Sequence, residues 1–321
     1  MLKNQIGCIY HKGPQIFIML LMLLGCGKTT LDDPITIEDC VSQQVLDDSR
    51  GECNESLNFQ PMIAVNIEGA FKNITSNCIP AHKVGLFGKI QGALNPNAIA
   101  PQQIVHKISN QPAISGTFTP LLGNNGPDYA FGILINGVEL DPVAAEPFPH
   151  TTIMDPNVNW VWNLEATNVN LGLDCNNAHV QPNGKYHYHG SPTLFLEQLA
   201  VKTNEMTLIG YAADGFPIYY KYAYEDPEDE FSSIIEMKSS YELKDGNRPG
   251  DGVTAPCGPY DGVYSADYEY INGLGHLDEA NGRFGVTPSY PNGTYYYVIT
   301  STFPIIPRYF RGNPSQDFAI R

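Results

Sequence analysis

The sequence is short of charge, and above all of positive charge. Only 16% of its 321 residues are charged, 18 Lys or Arg stand against 34 Asp or Glu, and no Lys or Arg occurs between Lys107 and Lys185, a stretch that holds seven acids. Phosphate backbones are bound by clustered cations, so nucleic acid is excluded as a partner. Long hydrophobic runs are missing after the first 26 residues, and no later stretch is apolar enough to span a bilayer as a helix. Gly-x-Ser-x-Gly elbows, phosphate loops and dinucleotide fingerprints are absent, so the common nucleophile and nucleotide chemistries have no anchor here. Low charge with 30 Gly and 25 Pro also argues against a helical bundle or coiled coil. A 42% hydrophobic share is enough for a sizeable core.

The chain begins with a Lys-bearing segment (Lys3, Lys12), an apolar run from Ile16 to Leu24, and then Gly25-Cys26. A run this short reads as a signal h-region rather than a span. Leu23-Leu24-Gly25-Cys26 resembles a bacterial lipobox, which implies a signal peptide over 1–25, cleavage before Cys26, and lipidation of Cys26. The protein is then expected as an exported, membrane-anchored lipoprotein of the cell envelope. Gly27 rather than Asp after the Cys points to the outer membrane. Loss of Lys3 and Lys12 leaves 16 basic against 34 acidic residues, a net charge of −18. Five other thiols remain: Cys40, Cys53, Cys78, Cys175 and Cys257. An exported chain meets an oxidising compartment, so disulfides are expected. One bridge within Cys40, Cys53 and Cys78 and a second between Cys175 and Cys257 are the candidate pairings, with one thiol left over.

Residues 26–60 read as a tether and Cys-bearing segment, and 61–321 as one β domain. Short apolar runs alternate there with turn signals, which predicts a mainly β, turn-rich sandwich or barrel-like domain with a few short helices. Asn136-Gly137 between apolar flanks (Phe131–Leu140) signals a hairpin. Trp160, Trp162 and Leu164 alternate as on a half-buried strand. Ser191-Pro192 before Thr193–Lys202 reads as the start of a helix, with Ser191 as its cap. A weak internal repeat relates Leu173–His179 to Leu277–Arg283. In each copy a Pro-Asn-Gly turn (Pro182–Gly184 and Pro291–Gly293) leads into an aromatic strand. Only the first copy carries imidazoles.

His187 and His189 lie two apart on a strand, so they face the same way, roughly 6.5–7 Å apart, and Tyr186 and Tyr188 face the opposite way. His179, before the Pro-Asn-Gly turn, is placed on the neighbouring strand. Three imidazoles so arranged suit a transition metal, with zinc or copper as the candidate cofactor. Asp174 and Asp278 are candidates for fixing a ring tautomer, and His276 for joining the site if the two copies pack as a pair. Asp214, before Gly215, is a candidate base or ligand if its turn faces the histidines. Asp245–Gly252 has oxygen-rich spacing that weakly suggests calcium. His82, His106 and His150 read as structural. The alternative, from another class, is a non-enzymatic surface binding or adhesion module. In that case the histidines pack, and the acidic, Tyr-rich surface meets a small-molecule or cell-surface ligand.

Lys185-Tyr186-His187-Tyr188-His189-Gly190 resembles the Tyr-His-Tyr-His signature of the YHYH domain family. The segments Ile209–Tyr219, Leu277–Arg283 and Phe303–Gly312 are similar to the same family in the same order, so the resemblance covers about residues 130–312. It implies a shared domain and brings no reaction with it. Where the family pattern has Cys, this chain has Ala280 and Tyr309, which implies a disulfide missing from the second copy.

Overall fold

A computed structural model describes residues 44–320. The leader, Cys26 and Cys40 lie outside the described residues.

Eight strands form the central sheet: Gly132–Leu134 and Glu139–Leu140, Ala178–Val180 and Tyr186–Tyr188, Thr207–Ala212 and Pro217–Tyr220, and Gly282–Thr287 and Tyr290–Ile299. A three-stranded antiparallel sheet precedes them, made of β1 (Ile63–Glu68), β2 (Phe71–Ser76) and β3 (Ile104–Ser109). Numbered on from it, the central strands are β4 to β11, in the order β6-β7-β5-β4-β8-β9-β11-β10. The order is symmetric. Each half joins two hairpins through one parallel contact, β7 with β5 in the first and β9 with β11 in the second, and β4 meets β8 antiparallel at the centre. The chain is therefore mainly β and multi-sheeted, as expected of a sandwich-like fold, and the central sheet is open at β6 and β10.

The internal repeat is deeper than the sequence suggested. His179 pairs with His187 across β6–β7 as Arg283 pairs with Tyr296 across β10–β11. The Tyr186 hydroxyl donates to Asp174 Oδ2 at 2.8 Å, and the Tyr295 hydroxyl to Asp278 Oδ1 at 2.9 Å. Asn177 and Asn281 take the same left-handed turn, with φ of 54° and 53°. The likeness extends to the other hairpins. Asn136 Nδ2 donates to the Tyr188 hydroxyl, and in the second half the Tyr297 hydroxyl donates to Asp214 Oδ2.

Alternation places Tyr186 and Tyr188, both fully buried, in a core with Leu140, Ala178, Val180, Ile209, Ile218, Tyr295 and Tyr297. Burying such large side chains supplies about 1.5–3 kcal/mol apiece. Hairpin β4–β5 forms around Asn136-Gly137 as expected.

Three local readings need correction. Pro291-Asn292-Gly293 lies inside β11, and the chain reverses between Thr287 and Tyr290 instead. Only Tyr297–Ile299 of β11 pair with β9, so the missing N–H of Pro291 falls on an open edge, where it is tolerated. The helix α1 spans Thr193–Gln198, shorter than expected, with Pro192 rather than Ser191 at its cap position. The Leu194 N–H is met by Asn176 Oδ1 at 3.0 Å, while the Ser191 carbonyl is engaged by Asn177. The disulfide pairing differs too. Cys175 bonds Cys53 across 122 residues, Cys257 is disulfide-bonded, and Cys78 is the buried free thiol. The bridge adds to a docked segment: Gly51 pairs beside Asp174, and Arg50 donates to Asn177 Oδ1 at 2.7 Å.

Candidate metal centre

The β6–β7 hairpin carries the site. Its turn, Pro182-Asn183-Gly184, needs a left-handed glycine. Gly184 has φ of +87°, and a Cβ there would fall 2.7 Å from that of Ala100. The turn places His179 directly opposite His187. His189 lies just past β7, held by its N–H on the Asn177 carbonyl at 2.7 Å.

The three rings converge on their Nε2 atoms. His187 Nε2 lies 2.9 Å from His189 Nε2, which lies 3.1 Å from His179 Nε2. The rings meet edge to face, with centroids 4.7 to 4.9 Å apart. His187 and His189 are 1% and 3% exposed, and His179 is half-buried.

Tautomers follow from the other ring nitrogens. His179 Nδ1 lies 3.0 Å from the Leu171 carbonyl, and His187 Nδ1 lies 3.4 Å from the Lys185 carbonyl. A carbonyl only accepts, so each Nδ1 carries the proton and each Nε2 presents a lone pair. His189 Nδ1 makes no hydrogen bond of normal geometry, and the Pro142 backbone favours the protonated ring. At most one proton on His189 Nε2 must then serve two facing lone pairs. Extra protons are disfavoured. Burial drives His187 and His189 well below the ordinary imidazole value, and neighbouring rings add to it. Burial lowers His179 as well, against the pull of Leu171. The rings are neutral at pH 7, the form that ligates metal.

These are the only three His, Cys, Asp or Glu residues among those described whose donor atoms come together in this way, all within 4.8 Å of one another. Zinc, at about 2.0–2.1 Å from each imidazole nitrogen, would hold such atoms about 3.4 Å apart. Two of the three pairs, at 2.9 and 3.1 Å, already lie close to that separation.

The other candidates fall elsewhere. Asp174 accepts from Gly85, Asn176 and Ala178 N–H groups and from Tyr186, so it braces the turn and touches no histidine ring. Asp278 does the same for the second copy. His276 Nδ1 accepts from the Lys238 N–H in the second half. Asp214 is buried under Tyr297, Gly312 and Phe216, where burial raises its pKa to about 6, and it joins no imidazole. Its turn is the counterpart of Asn136-Gly137. In the Asp245–Gly252 loop, Asp251 is spent on the N–H groups of Val253, Thr254 and Ala255. His82, His106 and His150 each have a hydrogen-bonded packing role, on Tyr188, Glu139 and Tyr264.

One site residue escaped the sequence reading. Asp141 lines the same cavity of about 360 Å³ as the three histidines. It is 3% exposed, Gln181 Nε2 reaches its Oδ2 at 3.2 Å, and its Oδ1 has no partner. Burial pushes its pKa up to about 7, against the pull of Lys185 and Arg308. Its signal was faint, since Asp141-Pro142 reads as a turn. Glu146 lines the cavity too, raised by burial. The absence of Lys and Arg before Lys185 proves to be a feature of the sequence alone. Folding brings the charges of Arg50 and Arg308 to His189, and that of Lys185 to His187. Each has an acidic or carbonyl partner of its own.

No curated protein and no solved structure matches the chain. A family model described as YHYH protein matches residues 106–312, more than half of the sequence and all of the central sheet. With the Tyr186–His189 signature on β7 and its imidazoles gathered in one cavity, the chain belongs to the YHYH protein family.

Proposed function

We propose that the protein is an envelope-anchored lipoprotein whose β domain binds one transition metal ion, zinc or copper, through His179, His187 and His189. The observation that carries this reading is the contact of three neutral Nε2 atoms, two of them on buried rings, at 2.9 and 3.1 Å with too few protons to hydrogen-bond them all. A cation meets all three lone pairs at once. Three imidazoles leave a fourth tetrahedral position for water or a substrate atom. Asp141 and Glu146 on the same cavity supply carboxyl groups that can hold or pass a proton there.

The metal reading is tested by titrating cobalt(II) into chelator-treated protein. Visible absorption of a four-coordinate ion, displaced by one equivalent of zinc, is the expected result. Its absence in the native protein, with the fold intact, would overturn the reading. Anchoring rests on the Leu23–Cys26 motif, since no helix among the described residues is long and apolar enough to cross a membrane. The anchor is expected to hold through acyl chains, at about 0.8 kcal/mol per buried methylene. In detergent phase partition the native protein should follow the detergent, and Cys26→Ser should move to the aqueous phase.

A further inference from the structure

A second cavity, of about 260 Å³, adjoins the histidine cavity, and Val143 lines both. Its walls are aromatic: Tyr241, Tyr268, Phe303 and Tyr309. Tyr268 and Phe303 stack face to face with centroids 4.0 Å apart, and Tyr241 meets Phe303 edge-on at 5.4 Å. Two polar side chains with hydrogen-bonding capacity to spare also line it, Asn163 buried and Arg308 half-buried. Asn163, 1% exposed, donates through Nδ2 to the Ala144 carbonyl, and its Oδ1 has no partner. Arg308 spends Nη2 on both oxygens of Glu165, while Nε and Nη1 have no partner. Glu165 is pinned in turn by Ser265 and Thr167, so it is not free to swing across to those groups.

Interiors pair nearly all such atoms, and leaving them unmet is costly. An apolar cavity with a few convergent polar groups is also the usual composition of a small-molecule site. Here the unmet set is one acceptor and a fork of donors, and its charge is already balanced, because Glu165 neutralises Arg308. A carboxylate would bring a surplus negative charge and no proton for Asn163. A carboxamide brings a carbonyl for Arg308, an N–H for Asn163, and no charge.

We propose that this cavity binds a neutral carboxamide attached to a planar ring, the ring lying on the Tyr268–Phe303–Tyr309 wall and the amide between Arg308 and Asn163. The proposal does not depend on a metal at the histidines, although the shared Val143 places the two ligands side by side.

The test is calorimetry and ligand-observed NMR on the purified protein with benzamide and benzoate as probes. Benzamide should bind about tenfold more tightly than benzoate at pH 7, the worth of about one hydrogen bond. Asn163→Leu should erase that preference. Replacing Arg308 would strand Glu165 and risk the fold, so the second variant is Val161→Trp, at a 69% exposed position on the cavity mouth, which should block both probes. The proposal is overturned if benzamide fails to bind, if benzoate binds as well or better, or if neither variant changes binding.

Discussion

His189 Nε2 faces two lone pairs with at most one proton to offer, and this shortage distinguishes the cluster from ordinary packed histidines. His82 and His106, equally buried, each have a conventional partner. The account therefore predicts that His187→Ala weakens zinc binding by at least about 100-fold, measured by competition with a chelating dye. His82→Gln should leave metal affinity unchanged while altering only stability. Protonation gives a second check. The imidazoles are depressed below 6.5, so the unfolded chain binds protons that the native chain does not. Their contribution to stability is present above pH 6.5 and is lost as pH falls below it. Asp141 has the opposite sign. Its carboxyl is raised to about 7, so its contribution is present below the ordinary value of 3.8 and is lost as pH rises toward 7. Asp141→Asn should therefore stabilise the metal-free protein at pH 8 by roughly 1–3 kcal/mol and have little effect near pH 4. Urea melts at the two pH values would decide it.

At the scale of elements, the site depends on one hairpin and its braces. Gly184→Ala puts a side chain at a left-handed position against Ala100, and should cost about 1–2 kcal/mol by urea melts while lowering metal affinity. The Cys53–Cys175 bridge closes a loop of 122 residues two positions from Asn177, whose carbonyl holds His189. Replacing both cysteines by Ser should cost roughly 2–5 kcal/mol and release metal at lower chelator concentrations. These elements differ in how plainly the sequence announced them. Alternation in Tyr186–His189 and the Asn136-Gly137 turn are local signals, and both were legible. The disulfide was misassigned because its partners meet only when residues 44–60 lie against the first copy. Asp141 was missed because its environment, rather than its neighbours in sequence, makes it unusual. Pro291-Asn292-Gly293 looked like a turn because an open strand edge is invisible to local patterning.

At the scale of the molecule, the sheet is a duplicated unit with one equipped half. Both copies keep the Asp–Tyr brace, the left-handed Asn and the parallel contact, so these belong to the scaffold. Arg283 and Tyr296 stand in the second half where His179 and His187 stand in the first, and the Arg283 Nε donates to the Tyr296 hydroxyl at 2.6 Å. The scaffold therefore does not need imidazoles, and the first copy has them for another reason. The weak repeat in the sequence pointed this way, but its full extent, through hairpins β4–β5 and β8–β9, required the pairing of strands far apart in the chain. The central claim is that this reason is a metal ion. It is tested most directly by elemental analysis of protein isolated without a histidine tag, beside a His187→Ala/His189→Ala variant. The account predicts close to one zinc or copper per native chain and almost none in the folded variant. A native protein that is folded, metal-free and unable to take up either metal would contradict it.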